Sequence, residues 1–434
     1  MKIKASRLAA LAAVAIVGTG GVAAATSAPP GSEPAGTESA ATESAATGTP
    51  EDAAPVEGDI TVWAMGTEGE QLGVLADAFE EEYPDVDVEV TAVPWDAAHD
   101  RLVTAIAGGE GPDVSLIGTT WMGEFATLGG LAPTPDTIDP SAFFEGAWQS
   151  TVVDGTSYGV PWYVETRLLY YRTDLAEQGG ITEPPADWDG LTELVTALQE
   201  AGAENGISLQ QPCCIGAWQT FAPFLWQAGG DIVDESNDFT LDSPECVEAL
   251  TFYDSFFENG LARAETSDVP VEAQFADGSV GAFISGPWMI NIITDAGADP
   301  ETWTVAHQPT NVSGTSFVGG GNLAVFDQSD NQDAAWAFVE FASRPETQVL
   351  WYETVSDLPA VHAAWDDPAL ADDPLLAAFG EQLDDTKSPP AIPTWEEVAS
   401  AIDGQIEQVT VGDTSPEDGC AAMQAEAESI GTGL

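Results

Sequence analysis

The sequence predicts an α/β protein of more than one domain, on three observations. The chain has 434 residues, and a domain takes roughly 100–200. Residues 60–118 alternate strand, helix, strand, helix, strand, the pattern of a parallel sheet covered by helices. A second run of helices and strands over 188–293 repeats the composition with its own apolar faces. With 44% hydrophobic and 9% aromatic residues, the chain can fill the cores this requires.

The elements follow in order. ITVWAMG (60–66) is a β-rich run ended by Gly. In EGEQLGVLADAFEEEYP (68–84), Leu72, Leu75, Ala76, Phe79 and Tyr83 fall at helical spacing, and Pro84 stops the helix. VDVEVTAVPW (86–95) alternates as a strand, HDRLVTAIAGGEG (99–111) is a helix closed by glycines, and PDVSLIG (112–118) is the next strand. The expectation is an open, largely parallel sheet, in which ligands sit beyond the carboxyl ends of the strands. Those ends are Gly66-Thr67-Glu68, Pro94-Trp95-Asp96 and Gly118-Thr119-Thr120-Trp121, a polar and aromatic rim without a catalytic triad.

Further along, GVPWYVETRLLYY (159–171) reads as one strand, yet it carries Glu165 and Arg167 inside an apolar run. Alternation places Tyr163, Glu165 and Arg167 on one face. Charges are rarely buried unless paired or functional. Helices are expected at 188–202, 218–232 and 243–260, the last stopped by Asn259-Gly260. Residues 275–293 give a helix end, a strand and a helix starting at Gly286-Pro287-Trp288; 317–327 is a strand interrupted by three glycines; helices follow at 332–343 and 345–355. Trp226, Trp303 and Trp336 are read as core; Trp351 and Trp395 are equally readable as core or site.

The ends and the charge bound the function. Residues 1–28 carry a basic start, an apolar run and small residues before a cleavage site, which reads as a signal peptide. Residues 29–58 are Ser, Thr, Ala, Pro and Glu with almost no large apolar side chain, a disordered linker. No Cys precedes Cys213, so the expectation is an exported chain, periplasmic, cell-surface or secreted, without a lipid-anchor Cys. Against 73 acidic residues stand 9 basic ones, a net charge of −64, which argues against nucleic acid and anionic membranes as partners. In an exported chain, Cys213, Cys214, Cys246 and Cys420 are disulfide candidates whose pairing spacing leaves open. His99, His307 and His362 are scattered, so neither a metal nor a cofactor is expected.

Eight segments in order carry a resemblance: ITVW with a helix ending in EYP, GPDVSLIGTTWMGEFATLGGLAP, YGVPWYVETRLLYYRTDL, PADWDGLTEL, FLWQAGGDI, FADGSVGAFISGPW, FVGGGNLAVFD and PAIPTWEEV. From about residue 59 to 432 the chain resembles the extracellular sugar-binding proteins of ABC transporters, relatives of maltose- and trehalose/maltose-binding proteins. The resemblance implies a two-lobed periplasmic-binding-protein-like fold of type II: two α/β domains joined by a hinge the chain crosses several times. Lobe 1 would be 59–164 with part of 320–365, and lobe 2 would be 165–319 with part of 366–432. The first crossover would lie near Val164 to Arg167 and the second at Gly319-Gly320-Gly321, where glycine permits hinge rotation or, equally, a bulge or close packing. The implied function is to bind a di- or oligosaccharide between the lobes, without catalysis, and to deliver it as a monomer to ABC permease subunits.

Sugars present hydroxyls and apolar C–H faces. Carboxylates and amides meet the former and aromatic rings the latter. By resemblance the ligand-binding residues are Glu68, the loop Thr119-Thr120-Trp121, Glu165 with Arg167, and the stacking Trp288. Trp95, Trp218 and Gln219 are added by position, and Gly320 and Asn322 as backbone and amide contacts beside the hinge. Maltose-binding relatives carry Asp and Arg in the loop that here reads Thr-Thr-Trp, which points away from maltose itself. The competing readings are a secreted carbohydrate-active enzyme, a binder of another small polar solute, and a calcium module at the Asp-rich stretch 229–242.

Overall fold

The computed structural model describes residues 56–209, 216–264 and 267–434. The signal peptide and nearly all of the linker expected at the N-terminus, and Cys213 and Cys214, lie outside the described residues. Among the described residues, no helix is long and apolar enough to cross a membrane.

The chain begins as its alternation dictates. β1 (Gly58–Met65), β2 (Val86–Val93) and β3 (Val114–Gly118) form parallel pairs, β1 in the centre. Helices Gly73–Glu82 and Trp95–Gly108 are the crossovers. Leu75 and Phe79 on the first, and Ala98 and Leu102 on the second, are buried at the i, i+4 spacing that marks a helix face. β4 (Val152–Val153) and β5 (Thr156–Ser157) make a small hairpin leading into β6 (Val160–Thr166).

The stretch expected as one strand breaks at Arg167. β6 belongs to the first sheet, and β7 (Leu168–Arg172) belongs to a second, antiparallel one with β8 (Ala282–Ser285) and β9 (Trp303–Ala306). The chain passes from lobe to lobe at this one residue. Its carbonyl accepts from the Gln308 side-chain amide at 3.1 Å and from Ser316 Oγ at 2.8 Å, which fixes the passage. β10 (Ser316–Val325) makes the return passage. It pairs antiparallel with both β6 and β3, and β11 (Leu358–Pro359) adds antiparallel to β6. The first sheet therefore runs β11-β6-β10-β3-β1-β2, with β12 (Thr386–Lys387) on the start of β10. It is mixed rather than largely parallel, because the returning chain enters it from the other lobe against the direction of β3. A third passage follows β12, after which Trp395, Val398, Ile402 and Ile406 pack into the core of the second lobe.

Gly320 shows what the glycine run does here. Its φ of +127° is closed to most side chains, and a Cβ on it would overlap the Tyr163 carbonyl oxygen. The register shifts between Gly321 and Asn322, a bulge. Two crossover strands thus lie in contact at the floor between the lobes.

The buried residues form two cores. One gathers Val62, Leu116, Phe125, Trp162 and Phe338 around the first sheet and continues onto Tyr170, Phe283 and Trp303 of the second. The other gathers Leu169, Leu194, Phe221, Tyr253 and Trp395 within the second lobe. Trp226 and Trp303 are buried as expected, and Trp351 and Trp395 join them as core; Trp336 is half-buried. A disulfide between Cys246 and Cys420 ties helix Pro244–Glu258 to the last helix, Pro416–Ile430. The Asp-rich stretch 229–242 folds on itself: Asp234 Oδ1 accepts the backbone N–H groups of Ser236 and Asp238.

Candidate functional site

A cleft of about 650 Å³ lies where the strand ends of the first lobe face the second lobe. Both lobes and the crossover strands line it. From the first lobe come Glu68, at the start of helix Gly66–Gln71; Trp95, at the start of helix Trp95–Gly108; and Thr119, Thr120 and Trp121, in a tight turn after β3. The floor is Tyr163, Glu165 and Gly320. From the second lobe come Gln219 and Trp288.

The aromatic rings are the least satisfied groups. Trp288 is 42% exposed and Trp95 39%, against near-zero for the core tryptophans. Gly286 makes room for Trp288, since a Cβ there would fall inside the indole ring. Arg167 lies behind that ring, its guanidinium 4.6 Å from the ring centroid, a cation–π brace. Across the cleft Trp95 and Trp121 meet edge to face at 5.7 Å, and His99 packs against Trp121 while hydrogen-bonded to Glu124 at 2.8 Å. A flat ligand with apolar faces would find rings on both lobes.

The polar groups are held in two hydrogen-bonded clusters. Arg167, 7% exposed, donates to Glu165 at 2.7 and 3.3 Å and to Gln219 at 3.0 Å. The pair is a brace and a ligand surface at once: Arg167 is behind the wall, and Glu165 lines the cleft. Trp351 Nε1 donates to Asp357 Oδ2 at 3.1 Å. Burial pushes the Asp357 carboxyl up to about 8, with the charges of Glu68 and then Glu165 adding to the rise. Burial likewise raises the Tyr163 hydroxyl well above the ordinary phenol range, and Glu68 and Asp357 raise it further.

Three of the residues expected to line the cleft do not: Arg167 stands behind its wall, and Trp218 and Asn322 lie elsewhere. Trp218 is buried in the second lobe, edge-on to Trp395 at 4.8 Å and to Phe317 at 5.5 Å. Its helix turns the next residue, Gln219, to the cleft instead. Asn322 is 1% exposed and donates to Ser150 Oγ at 3.1 Å, because the bulge after Gly321 points it into the first lobe. Sequence reasoning did not assign Phe317, Asn291, Tyr352 or Asp373 to the site and left Asp357-Leu358-Pro359 open between a cleft-edge loop and a helix stop; Phe317, Asn291, Tyr352, Asp357 and Asp373 all line the cleft. Asp357 alone left a signal, a polar turn after a helix; Ser356 before it takes the left-handed φ of +68°, uncommon outside glycine. Among the described residues, no group of three or more His, Cys, Asp or Glu is arranged to hold a metal.

Two α/β lobes, three passages between them and an aromatic cleft at the crossing define a two-lobed solute-binding protein. The chain belongs to the bacterial extracellular solute-binding protein family, whose profile matches residues 74–378. It is similar in structure to the sugar-binding protein MalE of Xanthomonas citri, with a TM-score of 0.80 and 31% identity over 86% of this chain and 97% of that one. The GacH receptor of Streptomyces glaucescens, solved unliganded and with acarbose, matches with a TM-score of 0.71 and 30% identity over 86% and 98%. In sequence, the maltotriose-binding protein of Pyrococcus abyssi is 27% identical over 379 residues, 83% of this chain and 79% of that protein.

Proposed function

We propose that this chain is the extracytoplasmic substrate-binding component of an ABC importer, that it takes a di- or oligosaccharide in the interlobe cleft, and that it hands the sugar on chemically unchanged. The observation that carries this is the exposed Trp288 on one lobe and the Trp95–Trp121 pair on the other, lining one cleft with Glu68, Thr119, Thr120, Glu165 and Gln219. Similarity to sugar-binding relatives supports the same reading. Export would be directed by residues 1–28, and the closed, loaded form would dock on permease subunits as a monomer.

The mechanism is differential binding to two conformations. A sugar that touches only one lobe shifts nothing; one held by Trp95, Trp121 and Glu68 on one side and by Trp288 and Gln219 on the other favours the closed form. Glu165 and Tyr163 meet the sugar from the floor. The crossovers near Arg167 and Gly320 would absorb the rotation.

A thermal-shift screen of the mature chain, from about residue 55, against mono-, di- and trisaccharides, polyols and amino acids tests the reading, since a ligand that binds only the folded state raises the apparent melting temperature. The expected result is a shift with one oligosaccharide that is recovered intact. Release of a cleavage product would make the protein an enzyme. A shift only with amino acids would keep the fold and overturn the substrate class.

A further inference from the structure

We propose that Asp357 meets the ligand as a neutral carboxylic acid, donating its proton to a sugar oxygen, while Glu68 and Glu165 act only as acceptors. The assignment rests on the sugar-binding reading of the same cleft.

The charges around the cleft do not balance. Glu68, Glu165, Asp357 and Asp373 line it, and among the described residues no Lys, Arg or His does. The neighbouring cation, Arg167, is committed to Glu165 and Gln219. Carboxylates that share an enclosed site without a counter-ion cannot all ionise, and the one with the least compensation keeps its proton. Glu165 has the guanidinium. Asp357 has only a neutral indole N–H, from Trp351 to Oδ2. That bond occupies Oδ2, so the proton would sit on Oδ1 of a residue that lines the cleft.

The groups that face Asp357 come from every side. Glu68 lies on the first helix, and Tyr163 and Glu165 on β6. Trp351 and Tyr352 lie on the preceding helix, Pro345–Val355, and Asp373 precedes helix Pro374–Leu383. None is a cation. Burial first, then the charges of Glu68 and Glu165, place its titration at about 8, so the acid form prevails at neutral pH. An Asp in that form both donates and accepts, which a ring of carboxylates alone cannot do for a sugar hydroxyl.

Two linked measurements on the mature chain test this. The first is a pH titration of the ligand-free protein with carboxyl-¹³C-labelled Asp, the Asp357 resonance identified by its loss in Asp357→Asn. The second is the affinity for maltotriose as probe across the same pH range, for the native chain, Asp357→Asn and Glu68→Gln. The expected resonance shift is centred near 8. Native affinity should be level below that point and fall about tenfold per pH unit above it. Asp357→Asn, which keeps a donor of the same shape, should give a level profile within about fivefold of the native neutral-pH affinity. Glu68→Gln should move the native midpoint to lower pH. Titration of Asp357 in the ordinary carboxylate range, near 4, overturns the proposal, as does native affinity that stays level through the whole range. If Asp357→Asn fails to fold, the native titration and affinity profile decide alone. If neither maltotriose nor any saccharide of the thermal-shift screen binds at any pH while Asp357 titrates near 8, the sugar reading falls and the protonated state of Asp357 is upheld.

Discussion

Trp288 has its brace behind it and its free face in the cleft. A Trp side chain offers roughly 150–250 Å², and about 42% of this one is exposed. Covering that part with a sugar is worth on the order of 2 kcal/mol at about 25 cal/mol per Å². Trp288→Ala should therefore weaken binding roughly 30-fold with little change in unfolding free energy, a split that titration calorimetry and denaturant melts separate. Arg167 behaves oppositely. Lys cannot reproduce the forked contact with Glu165, nor lie flat behind Trp288, so Arg167→Lys should lower both affinity and stability. Arg167→Met should destabilise by about 3 kcal/mol by stranding Glu165, a loss that Glu165→Gln in the same chain should largely restore. Glu165 and Arg167 stood out in the sequence because charges inside an apolar run are conspicuous; Glu165 lines the cleft and Arg167 lies behind its wall. Trp218 misled for the converse reason: an aromatic next to a polar residue on a helix gives no sign of which one faces the cleft. Asn322 misled because a bulge changes the alternation that assigns faces.

At the level of elements, the β-α-β-α-β opening was readable because short-range periodicity dictates it. The antiparallel direction of β10 and the two-residue strands β11 and β12 were not, since they depend on a partner distant in sequence; local pattern ran one strand through Arg167, and only the resemblance placed a crossover there. Glycines 319–321 could be read as hinge or as close packing, and the overlap at Gly320 accounts for glycine there without any motion. Gly320→Ala should consequently lower the denaturation midpoint sharply even without ligand. If it leaves stability intact and changes only affinity, close packing is not what selects glycine there. The Cys246–Cys420 disulfide links elements 174 residues apart and anchors the last helix, Pro416–Ile430, on the second lobe. On a chain-entropy account a loop that long is worth about 3–5 kcal/mol. Reduction, or replacement of both cysteines by Ser, should lower unfolding free energy by that order while leaving cleft affinity near native.

For the whole molecule the dominant fact is a net charge of −64. Like charges over one surface oppose the compact state, and salt shortens their reach from about 10 Å at 0.1 M to about 3 Å at 1 M. The melting temperature should rise with sodium chloride over that range. Buried acids act in the same direction with pH. Burial raises Asp357 to about 8 and Asp254 to about 6, Glu258 adding to the latter, from the ordinary aspartate value of 3.8. Each group favours the native state fully below its unfolded value, and that contribution is lost as pH rises through the native one. Stability should therefore decline between about pH 4 and pH 8, and Asp357→Asn should flatten the upper part of the decline, gaining on the order of 2–4 kcal/mol at high pH. A melt series in pH checks both.

The central claim is that one sugar joins the two lobes through the aromatic cleft. The most direct test is calorimetric titration of the mature chain with the oligosaccharide that the thermal-shift screen selects, alongside Trp95→Ala on one lobe and Trp288→Ala on the other. The account predicts one saturable site per chain, weakened by either substitution alone, with the sugar recovered intact. Binding that survives both substitutions unchanged, or a sugar that is cleaved, would contradict it.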